Sequence, residues 1–168
     1  MRLPVICLLF SIFYYCPAAK RTLTLVHEVK SPQELTYSYF IDFEKFGKIH
    51  PAIKETKKIK EPIGNSMGIY AIKESIRLYG FIPLHPEYTA EVIEIEKGKT
   101  IVYTSRVKKS VYLEINFSFS ESETGSTIIR EEVTLTGNRL ICSILRSQMK
   151  KAHLQLIENL KKELKKKT

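Results

Sequence analysis

Near Asn138 the hydrophobic period of the chain changes once, and little else in the sequence limits the architecture so strongly. Before that point apolar residues alternate with polar ones. After it Ile141, Leu145, Met149, Ala152, Leu156 and Leu160 recur at helical spacing. Alternation is the pattern of half-buried strands, and the 3.6-residue period that of a helix with one apolar face. The sequence therefore predicts strands followed by one long helix from Arg139 to about Leu164, with Asn138 as N-cap. A helix this amphipathic, without a coiled-coil partner pattern, should lie against the sheet.

The segments before it follow from the same reasoning. Leu23, Leu25, His27 and Val29 alternate in a first strand beginning near Thr22. Ser31, Pro32 and Glu34 then read as a capping box that opens a helix. Asp42 caps a second short helix through Phe46, with Gly47 as its stop and Pro51 as an extended exit. The Lys-rich run Ile53 to Ile59 reads as an edge strand. Ile69 to Tyr79 alternates, with Tyr70, Ile72, Glu74, Ile76 and Leu78 on one face; Gly80, Pro83 and Pro86 make an irregular link. Three further strands are Tyr88 to Ile95, Ile101 to Val107, and the run carrying Val111, Leu113, Ile115, Phe117 and Phe119. In a last strand Ile129, Glu131, Val133 and Leu135 share one face. Strand, two short helices, about six antiparallel strands and a long helix predict an α+β domain, its curved sheet of six to seven strands wrapped around the C-terminal helix.

Composition narrows the chemistry. At 168 residues, 43% hydrophobic and 27% charged, the chain suits one globular domain with its own core. Cys7, Cys16 and Cys142 form neither a disulfide framework nor a metal-ligand spacing. The net charge of +9 is uneven: Arg2 and the last eight residues supply +5 of it. The Lys-rich end reads as a solvated helix terminus or as a contact for a membrane surface. No arginine cluster with interleaved aromatics supports a nucleic-acid partner.

Leu3 to Tyr15 is almost wholly apolar, shorter than the ~20 residues of a membrane-spanning helix and suited to a signal peptide. Two readings stand. A cut after Ala18 would export the protein to the periplasm or exterior. Otherwise residues 1–19 are a start-site extension or a tether, and the protein is cytoplasmic. The expected division is a leader over 1–19, the domain over 20–164 and a Lys-rich tail over 165–168.

Three stretches carry a resemblance. Val29-Lys30-Ser31-Pro32-Gln33-Glu34-Leu35 resembles the strand exit and helix start of the START-like superfamily, the polyketide cyclase/dehydrase and lipid-transport proteins. Phe40 to Pro51 resembles that family's aspartate–aromatic stretch, with Phe46 and Ile49 where tryptophans are common. Glu123-Thr124-Gly125-Ser126-Thr127 resembles its late hairpin. The resemblance runs from about Thr22 to Leu164. It implies a helix-grip fold and a cavity under the C-terminal helix, with Met149, Ala152 and His153 over its mouth. It specifies no activity, since its members include carriers, cyclases, hydratases and quinone-binding proteins.

No nucleophile elbow, phosphate loop, dinucleotide turn or zinc-protease motif is present, and no cofactor or metal is implied. His27, Glu74 and Glu131 interrupt apolar faces, where an unpaired buried polar group is costly. They either give an apolar ligand a polar handle, form structural pairs, or face outward in a shifted register. The expected cavity lining is His27, Tyr70, Ile72, Glu74, Ile76, Leu113, Ile115, Phe117, Glu131, Val133, Met149 and His153. The leading expectation is a carrier or sensor for a hydrophobic small molecule such as a lipid, quinone or polyketide-like compound. A cyclase or hydratase using a cavity Glu or His, and a chaperone docking on a membrane or partner, are the alternatives.

Overall fold

The computed structural model describes residues 18–78, 81–107 and 111–166. The apolar leader up to residue 17 and the last two residues of the tail lie outside the described residues, as do Tyr79 and Gly80. Seven strands form one antiparallel sheet in the order β1-β9-β8-β7-β6-β3-β2. They are β1 (Ala18–Val29), β2 (Ile53–Lys60), β3 (Ser66–Glu74), β6 (Glu87–Glu96), β7 (Thr100–Val107), β8 (Val111–Glu121) and β9 (Thr127–Asn138). Among the described residues β4 (Ile76–Leu78) and β5 (Ile82–Leu84) pair only with each other. The first and second strands are the two edges of the sheet. Helices α1 (Gln33–Ile41) and α2 (Phe43–Ile49) carry the chain between them, and α3 (Arg139–Lys165) ends the fold.

The alternation read from the sequence is the alternation of burial. On β8, Val111, Ile115, Phe117 and Phe119 are buried; on β9, Thr127, Ile129, Glu131, Val133 and Leu135 are. β1 starts at Ala18, four residues before the alternation suggests, because its pairing with β9 continues to Asn138. The Lys-rich β2 is an edge strand. Register shifts occur where β2 meets β3, β3 meets β6 and β6 meets β7, and such bulges bend and twist the strands that carry them. At one of them Gly68 has φ +131°, and a Cβ there would lie 2.9 Å from the Lys60 carbonyl oxygen, so only glycine fits.

Three local expectations are corrected. The Ser31–Glu34 capping box does not form: Pro32 occupies the N-cap, and among the described residues no side chain caps α1 and Ser31 Oγ, buried, has no hydrogen-bond partner. The Ser31 main chain is held instead by Val29 and by the Thr127 hydroxyl, which donates to the Ser31 carbonyl at 2.7 Å. Gly47 does not stop α2, which runs on to Ile49; its missing side chain lets the helix approach β2, since a Cβ would meet Thr56 Cγ2 at 3.1 Å. The strand expected from Ile69 to Tyr79 breaks at Ser75. There the backbone N–H groups of Glu74 and Ser75 donate to the carbonyls of Pro86 and Ala52. Asp42 and Asn138 do cap α2 and α3, each accepting from two backbone N–H groups.

Two kinds of packing fill the interior. Phe40, Phe43 and Phe46 of the short helices meet Tyr70, Tyr103, Phe117 and Phe119 of the sheet with ring centroids 4.8–6.2 Å apart, and the Tyr103 hydroxyl donates to the Phe40 carbonyl. The C-terminal half of α3 buries Leu156, Ile157, Leu160 and Leu164. Its N-terminal half does not close on the sheet in the same way.

Candidate functional site

Where the first half of α3 stands off the sheet, a cavity of about 860 Å³ remains. The sheet contributes Ile72, Ala90, Val107, Val111, Leu113, Ile115 and Leu135. The helix contributes Ile141, Ile144, Leu145, Gln148, Met149, Ala152 and His153. Phe43, Phe46 and His50 reach it from α2 and the turn after it. Ile76, Arg77, Leu84, His85 and Pro86 close one side from the β4–β5 hairpin and the link beyond it. Apolar walls with a few polar groups are the usual composition of a small-molecule site.

Those polar groups fall into two sets. In the first, the Tyr88 hydroxyl donates to Glu74 Oε1 at 2.8 Å. Burial pushes the Glu74 carboxyl above its usual range, against the opposing pull of that hydrogen bond and of His153. Burial, with the Glu74 charge beside it, holds the Tyr88 phenol well above its ordinary value. The second set is deeper. His153 is buried and its Nδ1 lies against Oε1 of Glu131, which has no exposure at all. Glu131 Oε2 has no hydrogen-bond partner among the described residues. His50 crosses the His153 ring edge-on at 5.6 Å. Its Nδ1 accepts from the Ile53 N–H at 3.3 Å, and burial followed by the charge of His153 lowers its pKa to about 3. Among the described residues no group of three His, Cys, Asp or Glu is arranged to hold a metal ion.

Of the residues expected at the site, Ile72, Glu74, Ile76, Leu113, Ile115, Met149 and His153 lie on the cavity wall. His27, Tyr70, Phe117, Glu131 and Val133 do not. Tyr70 is covered by Phe43 at 4.8 Å, and Phe117 is enclosed by Phe40, Phe46, Tyr103 and His153. Glu131 is separated from the cavity by His153, and Val133 is core. His27 is half-buried on the edge strand, and its Nε2 has no partner among the described residues; burial lowers its pKa, while Glu131 pulls it upward. Tyr70, Phe117, Glu131 and Val133 have inward registers, but the space above them is filled. Alternation reports which face a residue is on and not whether a helix sits down on it.

The sequence reading missed Tyr88, Tyr103, Ser105 and His50. Tyr88 had a signal: antiparallel pairing of β3 with β6 sets it opposite Ile72, in phase with Ala90. Ser105 is buried and its hydroxyl donates to the Thr89 carbonyl at 2.8 Å. No sequence feature marked it.

No protein-family model and no curated protein matches the sequence. Solved structures match the fold. A START superfamily protein from Mycobacterium smegmatis is 14% identical with a TM-score of 0.69, covering 88% of this chain and 99% of that one. The Zhui aromatase/cyclase from Streptomyces sp. R1128 is 10% identical with a TM-score of 0.69, covering 86% and 93%. Ara h 8.0201 is 14% identical with a TM-score of 0.63, covering 86% and 97%. The chain therefore has the helix-grip fold of the START-like proteins.

Proposed function

We propose that the protein binds a hydrophobic small molecule, such as a lipid, quinone or polyketide-like compound, and acts as its carrier or sensor. The observation that carries this reading is the 860 Å³ cavity, walled by Ile, Leu, Val and Met and interrupted by few polar groups. A drug-sized apolar ligand fits a space of this size. Glu74 and Tyr88 on one side, and His153 on the helix side, supply hydrogen-bonding groups for one or two oxygen atoms of the ligand. Native mass spectrometry of the purified protein tests the reading: a discrete bound mass, lost on mild activation, is expected. Protein that purifies empty and takes up no compound from a lipid and quinone extract would sink it.

The enzyme reading draws support from the buried Glu131–His153 pair beside the cavity, since a carboxylate that orients a histidine is a recurring acid–base device. In that case the released compound would differ in mass from the loaded one, for instance by a water. Recovery of the loaded compound unchanged favours the carrier.

A further inference from the structure

We propose that the cavity selects a neutral apolar compound carrying a free hydroxyl, held by Glu74 of β3 together with His50 and His153, and that it rejects the carboxylic acid of the same body. The proposal rests on the reading of the cavity as a small-molecule site and names the class of ligand that the site takes.

Each polar atom of the wall has a role fixed by its neighbours. The Ile53 N–H donates to His50 Nδ1 at 3.3 Å, and burial followed by the charge of His153 lowers the pKa of that ring to about 3. A neutral imidazole whose Nδ1 accepts carries its proton on Nε2, so the nitrogen His50 has left is a donor only. Tyr88 spends its one proton on Glu74 Oε1. Glu74 Oε2 remains as an acceptor with no hydrogen bond among the described residues. His153 Nδ1 is taken by Glu131 Oε1, which leaves Nε2 for a ligand. That nitrogen accepts in the neutral ring and donates in the imidazolium, so it serves either side of a hydroxyl.

These residues come together on the wall. The His50 and His153 rings cross with centroids 5.6 Å apart. Glu74 is the strand partner of Ile53, whose N–H is bound to His50, and the Ser75 N–H donates to the Ala52 carbonyl at 2.8 Å. His153 is near enough to Glu74 for its charge to act on that carboxyl. All three side chains border the cavity.

A ligand hydroxyl is donor and acceptor at once. It can donate to Glu74 Oε2 and accept from a histidine N–H, which leaves no polar group unpaired. An ether or ketone oxygen only accepts, and it strands the Glu74 oxygen away from water, the situation in which polar sites discriminate most strongly. A carboxylate also only accepts, and it brings a second negative charge beside Glu74. Arg77 and Lys151, which also border the cavity, are exposed, so water and salt screen what they could offer an acid.

Displacement of the neutral dye N-phenylnaphthylamine by matched ligands tests this at about pH 8, where free carboxylic acids are ionised. One set is linear: dodecanol, its methyl ether and dodecanoate. The other is a ring: naphthol, methoxynaphthalene and naphthoate. In whichever body the cavity accommodates, the hydroxyl compound should bind about tenfold or more tightly than the ether and the acid. Glu74→Gln puts an uncharged amide, which can also donate, in place of the carboxylate. The advantage over the acid should then disappear, with a urea midpoint that shows the fold intact. Arg77→Gln with Lys151→Gln should leave the order unchanged. The compound that co-purifies with the parent protein gives an independent measurement: once extracted, it should gain an acetyl group with acetic anhydride. Equal affinities within a set, an acid that binds most tightly, or a co-purified compound with a carboxyl or without a hydroxyl would overturn the proposal and leave the small-molecule reading standing. Protein that purifies empty and releases the dye to none of these compounds would remove both.

Discussion

Glu131 was marked by its neighbours: Ile129, Val133 and Leu135 lie on the same face of one strand, and a carboxylate among them needs a partner. The partner was not legible. His153 lies on α3, and only the rotation of that helix over β9 brings its Nδ1 to Glu131. His50 was legible only as part of a motif, because its burial depends on α2, Phe46 and His153 closing around it. Its low pKa has a consequence for stability. An unfolded histidine titrates near 6.5, whereas burial holds His50 to about 3. Between those values the unfolded chain binds a proton that the folded chain refuses. Stability should therefore be lost as pH falls from about 6.5 towards 3, by at most ~1.4 kcal/mol per pH unit from this group. His27, also lowered by burial, acts in the same direction. Urea midpoints measured from pH 7 to pH 4 should fall, and His50→Gln should flatten the slope. An equally steep slope in that variant would assign the acid sensitivity to other groups.

At the scale of elements, hydrophobic period located the inner strands of the main sheet and the whole of α3, because each has one buried face, while β2, which buries no residue, was marked as an edge by its lysines. It failed where the cause is distant. The break at Ser75 depends on the carbonyls of Ala52 and Pro86, and the β4–β5 hairpin follows from that break. Period also fails to say how closely two elements approach, and this divides β8 into two energetic regimes. Phe117 has no exposure and is ringed by Phe40, Phe46, Tyr103 and His153. Leu113, four residues earlier on the same face, is half-buried and borders the cavity. Phe117→Ala should cost roughly 3–5 kcal/mol, because the packed rings around it cannot collapse into the void. Leu113→Ala should cost clearly less than the 2–5 kcal/mol typical of packed leucines, since empty space already adjoins it. Urea denaturation of both variants checks the order, and equal losses would mean that the Leu113 end is packed as tightly as the Phe117 end.

For the molecule as a whole, the order of elements was enough to expect a sheet gripping a helix, but not where the grip is loose. The space between α3 and the sheet depends on side chains from both. Large residues fill its C-terminal end, where Leu156, Ile157 and Leu160 face the short helices and sheet. At the other end small or flexible ones, Ala90, Ser105, Met149 and Ala152, leave it open. If that opening exists for a ligand, filling it should separate binding from folding. Ala152 is half-buried, sits on the helix and lines the cavity. Ala152→Phe would project a ring into existing space and remove apolar surface from water without displacing packed neighbours, unlike an ordinary small-to-large change costing roughly 1–3 kcal/mol. The expected outcome is a urea midpoint equal to or above that of the parent, together with loss of the co-purifying mass in native spectra. Leu135→Phe offers a second filling from the sheet side, because Leu135 also lines the cavity. A variant that folds as well as the parent and still carries its ligand would put the ligand elsewhere on the molecule. A loss of several kcal/mol in both variants would show that the helix already rests on the sheet along its full length.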